Sequence, residues 1–438
     1  MGGTGEQIMM LAAVPAIVRI LLVFTLVLLA IKRKWSLGSA LLGGALLLGL
    51  AFAMAPGALL LAAGGALMHP KTVSLAAVVA LILVFSHTLE KAGQMQRLLD
   101  GFRGLIRRPR INLVVFPALI GLLPMPGGAI FSAPMVKSLG AEHRLSPAQL
   151  SYINYWFRHI WEYWWPLYPG VLLTTTLAGV DLWRLVLCTA PLTLVALGAG
   201  YWPLRGAVDA ADAPVGAQRK SPWPFLREAA PIGAAIVLAL TLGMAFSVLL
   251  PPMLHPIAKE LGLLAALLLA IVWVWRRNRM GWRVRWAILK DPGLARMVYM
   301  VAAILVFQGI LDKSHAVERV SQEMLRWHIP LLPIAMLLPF LVGGVVGITI
   351  AFVGTTFPIL ISLVNTMGQE ALMLPYLMIA LASGFAGVLL SPLHLCFLLS
   401  NEYFKTELVA VYRFMRVPLG ALLAAALGYF WILRSWIG

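Results

Sequence analysis

Gly121-Leu122-Leu123-Pro124-Met125-Pro126-Gly127-Gly128-Ala129-Ile130-Phe131 lies in the middle of an apolar run over residues 111–136. A straight membrane span has no use for two prolines and two glycines at its centre, because they remove or loosen backbone hydrogen bonds that lipid cannot replace. The run therefore reads as a re-entrant hairpin, entering and leaving by one face, with its irregular tip covered by protein or lining a cavity. A second apolar run over 333–364 is interrupted by Gly343-Gly344, with Gly347 and Gly354, and reads the same way.

The rest of the chain agrees with a membrane setting. Of its 438 residues 61% are apolar and 12% charged, and the mean hydropathy is +0.90, which excludes an ordinary soluble domain. Runs of spanning length fall at 11–31, 36–55, 73–90, 150–165 joined to 171–181, 182–203, 229–250, 257–275, 296–311, 376–402 and 417–436, predicting about ten crossings. No basic segment precedes 11–31, so that run is expected to remain as a span rather than be cleaved as a signal peptide.

The polar stretch 205–228 divides the chain near its middle and reads as a cytoplasmic linker. The halves repeat: Ile82-Leu83-Val84-Phe85 recurs as Ile304-Leu305-Val306-Phe307, Arg97 matches Arg319 and Pro117 matches Pro339, all at an offset of 222. With a four-residue slip, Pro166 falls on Pro392. The first repeat, 1–204, holds scaffold spans over 11–90, the hairpin 111–136, a broken span 150–181 and a span 182–203. The second, 229–438, holds spans over 229–311, the hairpin 333–364, a broken span 376–402 and a span 417–436. Five crossings per half is an odd number, so the second half enters from the opposite face and the repeats are inverted.

The formal charge of +17 is explained by topology before any nucleic-acid partner need be invoked. With both termini outside, cytoplasmic segments collect 25 of the 34 Lys and Arg, against seven outside, and Arg19 and Arg158 remain within spans. The two hairpins then enter from opposite faces, and their tips meet near the midplane, where substrate is expected. The basic, tryptophan-bearing stretch 276–286 suits a helix lying on the cytoplasmic surface.

Three groups of residues carry candidate chemistry. Pro126, Gly127 and Gly128 with Ser132 at the first break, and Gly343, Gly344, Thr349, Gly354, Thr355 and Thr356 at the second, offer backbone amides, helix N-termini and hydroxyls to an anion. The bland alternative is that the glycines only allow helices to pack closely. In the broken span, Tyr155-Trp156-Phe157-Arg158-His159-Ile160-Trp161-Glu162-Tyr163-Trp164-Trp165-Pro166, the spacing puts Arg158, His159 and Glu162 on one helical face. Arg158 is a substrate ligand or a snorkelling side chain; Glu162 with His159 is a proton carrier for coupling. Ser391-Pro392-Leu393-His394 breaks the second span, with His394 at the position matching Tyr168. Tyr168, Ser391 and His394 join the substrate-binding set, with core packing as the alternative for His394. His87 and Glu90 have ligand-like spacing without a third ligand, so no metal site is expected. Cys188 and Cys396 have neither metal-ligand spacing nor a disulfide framework around them.

The run Pro117-Ala118-Leu119-Ile120-Gly121-Leu122-Leu123-Pro124-Met125-Pro126-Gly127-Gly128-Ala129, followed by Phe131-Ser132-Ala133-Pro134, resembles the first-hairpin motif of the membrane family called domain of unknown function 401. That family is similar to the ion-transporter superfamily, which includes gluconate, citrate and four-carbon dicarboxylate permeases. The resemblance implies an inverted-repeat, elevator-type fold, a homodimer, and driving by sodium or protons. The first tip departs from the Ser-Asn-Thr signature of the sodium-coupled dicarboxylate branch, which favours protons. The expectation is a secondary active transporter of a small organic anion in a bacterial or archaeal cytoplasmic membrane, with H+ or Na+ as coupling ion, no other cofactor and no nucleic-acid partner. A translocator of an amphiphile such as a lipid-linked phosphate is the alternative. An intramembrane enzyme is disfavoured, since the chain has neither a His-Glu-x-x-His motif nor a nucleophile constellation set by spacing.

Overall fold

The computed structural model describes residues 14–102, 105, 109–122, 124, 128–142, 145–205 and 221–437. The protein is about 85% helical, and no strand occurs among the described residues. The first half forms α1 (Ala16–Lys32), α2 (Leu37–Ala51), α3 (Pro56–Met68), α4 (Pro70–Lys91) and α5 (Gln94–Phe102). A helix pair follows, α6 (Pro109–Gly121) and α7 (Ala129–Glu142), then α8 (Pro147–His159), α9 (Pro169–Ala178), α10 (Leu182–Thr189) and α11 (Leu192–Tyr201). The second half forms α12 (Trp223–Leu249), α13 (Ala258–Arg277), α14 (Trp282–Leu289), α15 (Pro292–Lys313) and α16 (Ala316–Arg326). It continues with the pair α17 (Leu331–Val346) and α18 (Thr349–Thr366), then α19 (Met373–Leu390), α20 (Leu395–Phe404) and α21 (Leu408–Ile437).

Local chemistry sets many of these boundaries. Prolines 56, 70, 147, 169 and 292 occupy first helical turns, where the missing N–H costs nothing. Ser146 and Gln149 form a capping box before α8, and Asp181 and Asp291 accept from backbone amides at the starts of α10 and α15. Helix starts recur in register: Pro70 and Pro292, and Pro109 and Leu331, are 222 residues apart. Pro147 and Met373, Pro169 and Leu395, and Leu182 and Leu408 are 226 apart. Contacts between the halves also come in matched pairs. Helix α2 packs on α15 and α13 on α4, while α9 packs on α18 and α20 on α7.

Among the described residues, eight helices are long and apolar enough to cross a membrane, against about ten crossings predicted. The difference arises because α1 and α2, at 17 and 15 residues, are too short to count and the first broken span is split, whereas α18 counts although it was expected to be a hairpin limb. The core lies in the second half's hairpin and broken span: the spanning windows of Thr349–Thr366 and Glu370–Phe404 are 83% and 89% buried, against 17% for Trp223–Leu249. These enclosed helices frame the site, while α12 presents apolar side chains outward.

Two expectations about the breaks are corrected. Helix α17 runs through Gly343 and Gly344 without interruption, and the chain reverses at Gly347, which has φ +71°, and Ile348. Gly343 is a packing residue: a Cβ there would lie 2.2 Å from the Gly384 carbonyl oxygen on α19. Its counterpart Gly121 does the same in the first half, where a Cβ would lie 1.9 Å from the Arg158 carbonyl oxygen on α8. The first broken span also opens earlier than its prolines suggest. Helix α8 ends at His159, and 160–168 runs through successive turns, so Glu162 lies in the break and not on a helical face.

Candidate functional site

The two breaks face each other. The first is the irregular segment 160–168, fastened by i+3 bonds from Glu162 N to His159 O at 3.1 Å and from Tyr168 N to Trp165 O at 3.0 Å. The second is Ser391-Pro392-Leu393-His394, where Ser391 N donates to Val388 O at 3.1 Å and His394 caps α20. Proline removes a donor and forces its neighbour out of the helical region, which is why the second segment leaves the ladder at Ser391, whereas the first has already left it at Ile160, six residues before Pro166. The N-cap residue of the following helix then reaches back to the adjoining helix pair in both halves. Tyr168 Oη donates to Gly121 O at 2.6 Å, and His394 Nδ1 bonds to Gly347 O at 2.7 Å.

Arg158 does not snorkel. It is 1% exposed, and its Nη1 lies 3.3 Å from His159 Nε2 and 3.3 Å from Cys396 Sγ. Gly128 makes the room, since a Cβ there would meet Arg158 Nη2 at 2.4 Å. His159 bonds through Nδ1 to Tyr155 O at 2.5 Å, and its Nε2 sits 3.0 Å from His394 Nε2 and 3.7 Å from Glu162 Oε1. Thr349 Oγ1, in the first turn of α18, donates to Glu162 Oε2 at 2.9 Å. The result is a buried cluster of one guanidinium, one carboxyl group, two imidazoles and a thiol, drawn from both halves. Such groups are tolerated in an apolar interior only when partnered, and there they mark function.

A second polar layer supports the cluster. Asn154 Nδ2 donates to Ser400 Oγ at 2.9 Å and to Ala129 O at 3.0 Å, Ser132 Oγ donates to Asn154 Oδ1 at 2.6 Å, and Ser151 Oγ donates to Asn401 Oδ1 at 2.7 Å. These bonds tie α8 to the start of α7 and to α20.

The structure brings together Gly128, Arg158, His159, Glu162, Tyr168, Thr349, Ser391 and His394. Ser391 Oγ accepts from Leu393 N at 3.3 Å and faces Gly347. Ser132 is one layer removed, with its hydroxyl committed to Asn154. Pro126 and Gly127 lie outside the described residues. Gly343 and Gly344 sit within α17, and Gly354 abuts Ile304. Thr355 and Thr356 are on the second turn of α18, where their hydroxyls bond to Ala351 O and Phe352 O. The sequence reading placed these last five at a tip; helix geometry carries them away from it. Cys396, Tyr155 and Asn154 were missed, although Cys396 stands two residues after His394 and Asn154 one turn before Arg158.

His159, His394 and Cys396 bring their donor atoms within 4.8 Å of one another, a set with the chemistry of a transition-metal site. Arg158 Nη1 sits 3.3 Å from two of those donors, however, so a dication there would meet the repulsion of a permanent cation. The tryptophans in and before the first break pack: Trp156 Nε1, on α8, donates to Ala196 O at 3.0 Å, Trp161 Nε1 to Ala118 O at 2.6 Å and Trp164 Nε1 to Thr193 Oγ1 at 2.6 Å.

A cavity of about 500 Å³ lies between α4, α9, α10, α12 and α13, with Pro166 and Leu167 of the first break in its wall. Its mostly apolar lining includes Lys71, His255 and Glu260, with Lys259 paired to Asp181. Burial opposes ionisation of Asp181, but the Lys259 ammonium and the Trp183 amide outweigh it and hold the carboxyl below its usual range. The cavity thus reaches the far end of the first break, at Pro166 and Leu167, and Glu162 does not line it.

No curated protein matches the chain. The family model described as a protein of unknown function, DUF401, matches residues 16–433, nearly the whole length, and the chain belongs to that family.

Proposed function

We propose that the protein is a secondary active transporter of a small organic anion, and not an enzyme. The observation that carries this reading is the buried cluster of Arg158, His159, Glu162 and His394 where two interrupted helices meet. A guanidinium held beside the N-terminal ends of α9, α18 and α20 makes a field suited to a carboxylate, and a buried carboxyl group with two imidazoles supplies proton carriers. Gly128, Arg158, Tyr168, Thr349, Ser391 and His394 line the anion's place, and Glu162 with His159 handles the coupling proton.

The recurring helix starts and the matched contacts between halves support two inverted repeats, 1–204 and 229–438, joined by the linker 205–228. On this reading both termini lie outside a bacterial or archaeal cytoplasmic membrane, the protein is a homodimer, and the helix pairs with the broken spans move as an elevator past the scaffold. Protons are favoured over sodium as the coupling ion. The charged groups of the cavity, Lys71, Asp181, Lys259 and Glu260, suit a water-borne anion, while its largely apolar wall keeps an amphiphile such as a lipid-linked phosphate as the second reading.

The test is uptake into proteoliposomes of labelled mono- and dicarboxylates, sugar acids and inorganic anions under imposed proton or sodium gradients. Proton-driven uptake that is lost in Glu162→Gln supports the reading. No uptake across the panel overturns it and leaves the amphiphile.

A further inference from the structure

The hydrogen bonds of the two buried histidines decide where a proton sits. A backbone carbonyl can only accept, so His159 Nδ1 facing Tyr155 O at 2.5 Å and His394 Nδ1 facing Gly347 O at 2.7 Å both carry hydrogen. A neutral imidazole has one N–H, so two neutral rings would present bare lone pairs at Nε2. Those two atoms are 3.0 Å apart, a hydrogen-bond distance that two lone pairs would not keep. A proton carried by one ring, as an imidazolium, accounts for that distance. Arg158 Nη1 approaches His159 Nε2 at 3.3 Å, and a guanidinium donates and never accepts, so His159 Nε2 is the acceptor and the extra proton belongs to His394 Nε2.

We infer that His159 and His394 hold one proton between their Nε2 atoms, and that this proton is the switch that admits the anion. The inference rests on the transport reading above and deepens it by locating the coupling proton and tying it to the substrate's charge. The titratable and charged groups facing the pair, among the described residues, are Arg158 and Tyr155 from α8, Glu162 from the first break and Cys396 from α20, while Tyr168, also of the first break, faces Arg158 and Glu162. Helices α17 and α18 carry no ionisable side chain.

Two consequences follow. Adding the proton raises the charge of the cluster by one unit in an apolar enclosure, so proton and anion favour each other's binding, reciprocally. Removing it leaves two lone pairs 3.0 Å apart, which drives the end of α8 from the start of α20. The proton therefore acts on both occupancy and the closure of the two breaks, which belong to different halves.

The test reads the ring nitrogens by solid-state magnetic resonance, with labelled histidine, in vesicles of phosphatidylethanolamine and phosphatidylglycerol at neutral pH. The difference between wild type and His394→Asn isolates the signal of that ring; asparagine retains a donor for Gly347 O, so the fold is expected to survive. An imidazolium in the difference spectrum is the expected result, together with a scalar coupling between two Nε2 nuclei in wild-type protein, a measurement that needs no variant. A neutral His394, or no coupling, overturns the inference. So does one zinc per chain in purified protein that is lost in Cys396→Ser, because a metal would then hold the two nitrogens. For any panel anion that the wild type carries, acidification should raise apparent affinity on the order of tenfold, and His394→Asn should abolish that dependence. Uptake that ignores pH sinks the coupling while transport stands; absence of all uptake sinks transport while the resonance experiment still judges the proton.

Discussion

Replacing Gly121 by alanine would put a Cβ 1.9 Å from the carbonyl oxygen of Arg158, with further contacts at 2.8 Å to the Arg158 carbonyl carbon and 3.0 Å to Trp161. The nearest partner is backbone, which cannot rotate away, so α6 and α8 must separate by about 1.5 Å to restore an ordinary contact. Overpacking of this kind costs about 1–3 kcal/mol. The separation also strains the bonds of Tyr168 and Trp161 to α6, and it moves the residue whose guanidinium anchors the cluster. Gly343→Ala meets the Gly384 carbonyl oxygen at 2.2 Å and should cost a comparable amount at the corresponding place in the second half. Gly43→Ala on α2 and Gly233→Ala on α12 meet nothing within 4 Å and serve as controls, expected to be neutral or stabilising by up to about 1 kcal/mol. The assay is thermal unfolding in detergent, with uptake in proteoliposomes measured beside it. If Gly121→Ala and Gly343→Ala melt with the controls, the packing argument is refuted and the glycines at these crossings have another purpose.

Gly128→Ala should behave differently, because its Cβ would meet the far end of the Arg158 side chain and not backbone. Its melting temperature is expected near wild type while apparent affinity for a carried anion falls; equal losses in stability and affinity would contradict this. Thr349→Val removes the hydroxyl that donates to Glu162 at 2.9 Å in a buried setting. It should cost about 1–3 kcal/mol by leaving a carboxyl oxygen without its donor, read as a lowered melting temperature that Thr349→Ser largely restores.

Much of the candidate site was legible because its parts lie close along the chain. Arg158, His159 and Glu162 fall within five residues, and Pro166 and Pro392 mark the two breaks by the loss of a backbone donor. Other features were ambiguous for a physical reason. A cluster of glycines permits either a break or a close helix crossing, and the choice at Gly343 and Gly344 was made by α19, whose own Gly384 and Gly387 let the backbones approach. The end of α8 at His159 could not be placed from Pro166, since the intervening tryptophans are sequestered by packing against α6 and α11, not by any local signal.

By itself the amino-acid sequence determined the membrane class, the 222-residue offset between matching segments and the two interrupted spans, because hydrophobic length, proline and glycine act locally and independently of partners. Tertiary structure alone decided which polar groups meet. The contact of Arg158 with Cys396 joins residues 238 apart, that of His159 with His394 joins residues 235 apart, and that of Thr349 with Glu162 joins residues 187 apart. No spacing rule reaches such distances. They are set by how the second half lies against the first, and burial then compels the polar groups brought together to satisfy one another.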